Sequence, residues 1–292
     1  MPEDSKPAAA NVFARHPRDW RDNLYVYPVI SRRSRGLSIG VNLNPDTACN
    51  FDCIYCQVDR TAPVKVRDVD LDVLAVELDH MLGLAAGGSI FHEPQFGAVP
   101  PELRRVNDIA FSGDGEPTTC PVFAEAVELA ADLKHQRGMG NVRMVLITDA
   151  CYLTKPVVKR GLRTMDQSNG EVWAKLDAGT QAYYELVNRP NYPLAHVMSE
   201  IIATARERSI RIQSLFMRVN GEPPPSAEID AFVERLHEIL AADGKIIEVQ
   251  VYTVARRPAE AYVGALSDAQ VDAIVEQVRS ATGLTANAYY SA

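Results

Sequence analysis

The strongest constraint on the fold is an alternation that runs through most of the chain. Short runs rich in β-branched and apolar residues are each followed by a stretch with apolar residues at helical spacing. The pattern predicts strands at residues 37–42, 107–111, 143–148, 171–175, 211–217 and 246–253. Helices are predicted at 69–84, 121–136, 155–162, 180–187, 194–209 and 227–242, and a last one opens at Ser267, Asp268 and Ala269 with the serine as N-cap. Residues 286–289 could add an edge strand. Six strands separated by helices require a parallel sheet joined by right-handed crossovers. A barrel or partial barrel is the simplest such sheet, although repeated strand–helix units alone fit an open doubly wound sheet equally well.

With 292 residues, 47% of them hydrophobic, the chain can bury one large α/β core or two smaller ones. No apolar run approaches the roughly 18 to 20 residues needed to span a bilayer, and residues 1–10 lack the cationic and apolar regions of a secretory signal. A cytoplasmic protein without a membrane partner is expected. The formal net charge of −8 argues against a phosphate-binding surface. Residues 1–10 read as a leader. The following stretch, to residue 35, interleaves Phe13, Trp20, Tyr25, Tyr27 and Ile30 with Arg15, Arg18, Arg21, Arg32, Arg33 and Arg35. Such an arm either packs its rings on a core and solvates its charges or stacks on nucleic acid; the first reading is favoured. The expected division is a leader and basic/aromatic arm at 1–36, then the barrel at 37–292.

Three of the five cysteines, Cys49, Cys53 and Cys56, fall within eight residues. Spacings of four and three let one loop fold its sulfurs around one centre, and in a chain without secretory features this favours metal ligation over disulfides. A structural zinc ion takes four protein ligands, yet the nearest histidines in sequence are His16 and His80, and Cys120 or Cys151 would have to close the site from far away. A zinc knuckle therefore remains the alternative. Iron–sulfur cubes commonly take four cysteines; held by three, one iron is left free to bind something else.

Other polar residues follow strand ends, where barrel active sites lie. After 107–111 comes Ser112-Gly113-Asp114-Gly115-Glu116-Pro117, whose glycines allow close backbone approach and whose Glu116 could accept from a cationic amine. Read alone, it is equally a tight turn with a solvated acid. Thr148 and Asp149 could line a pocket or cap a helix. Lys175 and Asp177 share one face by alternation and could meet a carboxylate and a hydroxyl, or form a surface ion pair. Gln213, Ser214, Gln250, Tyr252 and Thr253 sit on the last two strands, where a buried glutamine needs a partner. Cys120 and Cys151 could donate hydrogen but read sooner as small core residues, and Arg189, Arg218, Arg256 and Arg257 could bind an anionic substrate but read sooner as solvated arginines.

The order Cys49, Cys53, Cys56, with Tyr55 directly before the last, resembles the signature of the radical S-adenosylmethionine (radical SAM) enzymes. The runs SRRSRGLSIGVNL, CNFDCIYCQ, FSGDGEPT, VWAKLDAGT, NRP and VQVYTVARRPAE extend the likeness over residues 31–260. Together they resemble the subgroup related to the tRNA wyosine synthases. The resemblance implies a partial (β/α)6 TIM-like barrel of parallel strands and an enzyme. In it, Cys49, Cys53 and Cys56 would hold a [4Fe-4S] cluster, and Gly113, Gly115 and Glu116 would take the SAM amine. Lys175 and Asp177 would meet carboxylate and ribose, and Tyr55 would touch the adenine. It further implies reductive cleavage of SAM to a 5′-deoxyadenosyl radical that abstracts hydrogen from a substrate, with electrons from a flavodoxin- or ferredoxin-type donor. A tRNA-modifying, wyosine-type enzyme is the alternative, with tRNA possible but not favoured, because no cysteine precedes Cys49 to build a second cluster and the charge is negative. A protein substrate, or a metal-stabilised RNA- or protein-binding module without turnover, are the other readings.

Overall fold

The computed structural model describes residues 20–291; the leader and Phe13, Arg15 and Arg18 of the arm lie outside the described residues. Strands β1 (Val26–Ser31), β2 (Gly36–Val41), β3 (Val106–Phe111), β4 (Arg143–Thr148), β5 (Gly170–Lys175) and β6 (Ile210–Leu215) are followed by a short β7 (Met217–Val219), then β8 (Ile246–Tyr252), a short β9 (Val263–Ala265) and β10 (Ala286–Tyr289). Helices are α1 (Leu71–Ala86), α2 (Phe123–Gln136), α3 (Pro156–Gln167), α4 (Gln181–Asn188), α5 (Leu194–Glu207), α6 (Ser226–Ala241) and α7 (Asp268–Thr282).

One sheet takes β1, β2, β3, β4, β5, β6, β8 and β10 in that spatial order. From β2 onward every pair is parallel, and only β1 runs antiparallel, to β2. This order decides between the two architectures that periodicity left open. A doubly wound sheet reverses direction at a switch point. Here each crossover adds the next strand on the same side, so with a constant right hand the helices fall on one face and the sheet curls around the other. The product is a partial TIM-like barrel open between β1 and β10. The side chain of Arg32, in the turn after β1, donates to the carbonyl of Tyr290 just past β10 and so links the two edges.

Alternation assigns the two faces. On β2, Leu37, Ile39 and Val41 are fully buried in the main core, while Ser38 and Gly40 line an internal cavity. Ile109 and Phe111 of β3 likewise face the core while Asp108 and Ala110 face the cavity, as do Trp173 and Lys175 of β5 and Tyr252 of β8. The strands thus carry a mixed polar and apolar lining inside an apolar shell. Helix ends follow the expected chemistry: Asp70 caps α1 by accepting from the amides of Asp72 (2.9 Å) and Val73 (3.2 Å), and Ser267 forms a capping box with Gln270 at α7. No helix among the described residues is long and apolar enough to cross a membrane.

Val26–Ser31, read from the sequence as arm, pairs with β2 over its full length, and the rings of Trp20, Tyr25 and Tyr27 are buried. Glu77 of α1 anchors this strand: its carboxylate accepts from the amides of Leu24 (2.7 Å), Tyr25 (2.9 Å) and Val26 (3.0 Å). Replacing Glu77 by alanine leaves three amides without that acceptor. A loss of about 2 kcal/mol in stability is expected, since hydrogen bonds to a charged group contribute about 1.5–3 kcal/mol; urea denaturation measures it.

Candidate active site

The cysteine loop leaves β2 and crosses the C-terminal mouth of the half-barrel, where it is held from both sides. Carbonyls at the end of α4 have no partner within the helix. The loop supplies one: the amide of Ile54 donates to Val187 (3.0 Å) and that of Asp52 to Asn188 (3.2 Å). On the other side the segment after β8 donates to the loop, from Ala259 to the Cys56 carbonyl (2.8 Å) and from Glu260 to that of Ile54 (3.3 Å). Arg189, in the left-handed region with φ 41°, joins the two clamps by pairing with Asp52 (3.3 Å) and Glu260 (2.8 Å). The two runs NRP and ARRPAE, remote in sequence, are thus the jaws that fix the loop.

Cys49, Cys53 and Cys56 are free, half-buried thiols that line one cavity of about 310 Å³ together with Tyr55, Gly113, Gly115, Glu116 and Lys175. Cys120 and Cys151 are buried in the main core and do not line it. Burial pushes the Cys49 thiol up to about 11 and the Cys53 thiol up to about 12. Both are therefore protonated at neutral pH, and binding iron would release protons. Asn188 Nδ2 lies 3.5 Å from Cys53 Sγ, and the Arg60 guanidinium 3.7 Å from Cys56 Sγ. These are donors suited to a thiolate. Among the described residues no three His, Cys, Asp or Glu form a cage for a single metal ion.

The loop after β3 is locked to the loop after β2. Asn42 Nδ2 donates to Asp114 Oδ2 (2.7 Å) and Asn42 Oδ1 accepts from the Asp114 amide (3.1 Å). Asp114 therefore turns away, and Gly113, Gly115 and Glu116 form the cavity wall. A Cβ on Gly113 would collide with Asn42, and one on Gly115 with the Ala48 carbonyl oxygen and, at 2.8 Å, with Asn44. The glycines are required by this close approach, which sets the cysteine loop against the glutamate. Gly115→Ala is expected to lose about 1–3 kcal/mol, the usual range for overpacking, read as a lowered denaturation midpoint.

Glu116, 3% exposed, is held by its neighbours. Oε1 accepts from the Thr118 amide (3.1 Å) and hydroxyl and from the Thr148 hydroxyl (2.7 Å), whereas Oε2, among the described residues, accepts only from the Asp149 amide (2.7 Å). One lone pair of Oε2 remains for a ligand. Thr148 and Asp149 thus position the glutamate, in a turn where Ala150 takes a φ of 67°, a conformation that non-glycine residues hold only when their surroundings enforce it. Burial raises both the Glu116 and Asp149 carboxyls, and the Glu116 charge raises Asp149 further.

Lys175 and Asp177 meet as their spacing suggests, at 3.2 Å. Only Lys175 lines the cavity. Asp177, 2% exposed, accepts from Lys175, Tyr55, Asn188 (2.9 Å) and the Leu215 amide (2.9 Å). The Lys175 ammonium also donates to the Tyr252 hydroxyl (2.8 Å) and stands 5.0 Å from the Tyr55 ring centre. Burial pulls its pKa down, but Asp177 and Tyr252 outweigh that and raise it, so it is a cation with one N–H left for the cavity. Gln213 Nε2 donates to Gln250 Oε1 (3.2 Å), Gln250 Nε2 donates to Glu248 Oε2 (3.3 Å), and the Thr253 hydroxyl oxygen accepts from the Leu266 amide (2.8 Å). Asn188 and Arg60 were not predicted as site residues. Asn188 alone carries a sequence signal, in the NRP run.

No family model matches the chain. A UPF0026 protein of Methanocaldococcus jannaschii is 25% identical over 174 residues, which cover 57% of this chain and 44% of that protein. The chain thus spans less than half the length of that relative. A solved structure of anSMEcpe with bound AdoMet superposes with a TM-score of 0.51 at 13% identity, covering 86% of this chain and 63% of that one. A structure of TYW1 with a lysine-pyruvate adduct bound gives 0.48 at 16%, over 95% and 78%. The resemblance drawn from the sequence holds at the level of the fold.

Proposed function

We propose that this chain is a radical SAM enzyme whose three clustered thiols hold a [4Fe-4S] cluster. The observation that carries the reading is that Cys49, Cys53, Cys56, Gly113, Gly115, Glu116 and Lys175 line one cavity at the C-terminal mouth of a parallel half-barrel. The donor set fits: three half-buried thiols, hydrogen-bond donors beside two of them, and no fourth cysteine on the cavity wall. When bound, such a cluster supplies the electron that cleaves the C5′–S bond of SAM and yields the 5′-deoxyadenosyl radical.

The protein's own part is positioning and exclusion of water. Glu116 Oε2 receives the ammonium of the methionine moiety, beside the backbone of Gly113 and Gly115. The third N–H of Lys175 meets the SAM carboxylate or a ribose hydroxyl, while Asp177 acts through others by fixing Lys175, Tyr55 and Asn188. Tyr55 packs its ring between the cluster loop and the adenine. A flavodoxin- or ferredoxin-type protein delivers the electron. Anaerobic reconstitution with iron and sulfide tests the reading. A brown protein that forms 5′-deoxyadenosine from SAM and dithionite is expected; a colourless protein that binds a single zinc ion contradicts it.

A further inference from the structure

The inner end of the cavity carries groups that SAM binding leaves without a task. The turn between β1 and β2 brings Arg32 and Arg33 to the end of the half-barrel remote from the cysteine loop, and both line the cavity. Arg32 is engaged with the Tyr290 carbonyl. Arg33 is different: among the described residues it makes no hydrogen bond or ion pair, and its guanidinium carbon lies 5.1 Å from the ring centre of Tyr252 and 5.7 Å from that of Trp173.

The nearby acids have cations of their own. Asp108 is held by Ser38 and faces Arg143 at 3.8 Å; Glu171 pairs with Arg211 (2.9 Å) and Arg143 (3.4 Å), and Glu248 with Arg211. None of them reaches Arg33. Aromatic rings satisfy the face of a guanidinium and leave its edge bare. That edge presents N–H groups in a planar fork, whose matching acceptor is a carboxylate or a phosphate. Beside it, Ala110, Val145, Ile147 and Trp173 form a separate apolar cluster on the inner wall. An apolar wall with one orienting charge is the composition of a small-molecule pocket.

We propose that Arg33 receives an anionic group of the substrate, a carboxylate or a phosphate, with the less polar part of that molecule against the Ala110, Val145, Ile147 and Trp173 wall. The inference deepens the radical SAM reading and rests on it for the word substrate: the cysteine end of the cavity holds the cofactors, and the Arg33 end selects an anionic small molecule.

The full chain has two tryptophans, Trp20 and Trp173, so fluorescence of Trp173 reports on this end of the cavity. Titration with succinate and, separately, with inorganic phosphate is expected to give saturable quenching for one of the two, which identifies the anion class. In R33Q the apparent Kd should rise at least tenfold. In R33K, which keeps the charge and loses the fork, the rise should be smaller. Near-UV circular dichroism of both variants reports on folding, and R33K serves if R33Q fails to fold. Equal Kd values in wild type and both variants, or no saturable response to either anion in the wild type, overturn the inference. SAM binding by the wild-type protein is measured on the same material: its presence without an Arg33-dependent anion site removes this inference alone, and its absence removes the radical SAM reading.

Discussion

Cys53→Ala is expected to abolish 5′-deoxyadenosine formation while the protein stays folded. The first half follows from the donor set. With three thiols offered to a cluster that commonly takes four, none is redundant, and Cys53 has Asn188 Nδ2 at 3.5 Å from its sulfur. The second half follows from packing. Cys53 is half-buried at the cavity, so removing its sulfur opens no void within the main core. The loop is held by backbone bonds to Val187, Asn188, Ala259 and Glu260, none of which needs the thiol. Iron content, product formation and the thermal midpoint of the metal-free variant check this. A structural metal site would give the opposite result, because its free energy of binding is folding free energy. Cys120→Ala is the contrasting variant: it empties a buried core position and should lower stability without lowering iron content.

Glu116→Gln is the second large effect, and it acts on SAM binding and on stability together. Both carboxylate oxygens face backbone amides, Thr118 at Oε1 and Asp149 at Oε2. Whichever oxygen becomes an NH2 group then opposes a donor, so the amide is not an isosteric replacement here. Leaving a buried donor without its acceptor costs about 1–3 kcal/mol. On the proposed reading, losing the charge that would receive the SAM ammonium removes an interaction of about 1.5–3 kcal/mol, or a ten- to hundredfold rise in the SAM Kd. Equilibrium dialysis measures the second effect and urea denaturation the first. The pH dependence has a definite sign. Because the folded Glu116 and Asp149 carboxyls are raised, the folded chain holds a proton that the unfolded chain releases. That contribution to stability is complete below the ordinary carboxylate pKa and is lost as pH rises through the raised values. An incoming ammonium favours the ionised pair, so SAM affinity should climb with pH over the same window, and Glu116→Gln should flatten the climb.

Local signals were sufficient for most of the fold. The apolar run at 143–148 coincides with β4, the Ser267 cap with the start of α7, and the sequential strand–helix alternation with a sheet whose strands keep chain order. β1 was missed because its aromatic and basic surroundings read as an arm, and because its antiparallel pairing with β2 breaks the repeat. The glycine–glutamate loop was legible as a candidate and lines the cavity, while the reason Asp114 interrupts it without disturbing it was not: the answer lies in Asn42, 72 residues away. Strand alternation placed Lys175 on the cavity wall, but Asp177 lies past the end of β5, where that rule no longer applies, and its carboxylate holds Lys175, Tyr55 and Asn188 in place. Arg60 gave no local signal and Arg33 only that of one cation in a basic arm, since what marks them is the company they keep after folding: a cysteine sulfur for one, two rings and, among the described residues, no acceptor for the other.

The most direct test of the central claim is electron paramagnetic resonance of the dithionite-reduced, anaerobically reconstituted protein before and after SAM is added. A reduced four-iron signal that changes when SAM is added, and that is absent from Cys53→Ala, is the expected result. No such signal, or one indifferent both to SAM and to the loss of Cys53, contradicts it.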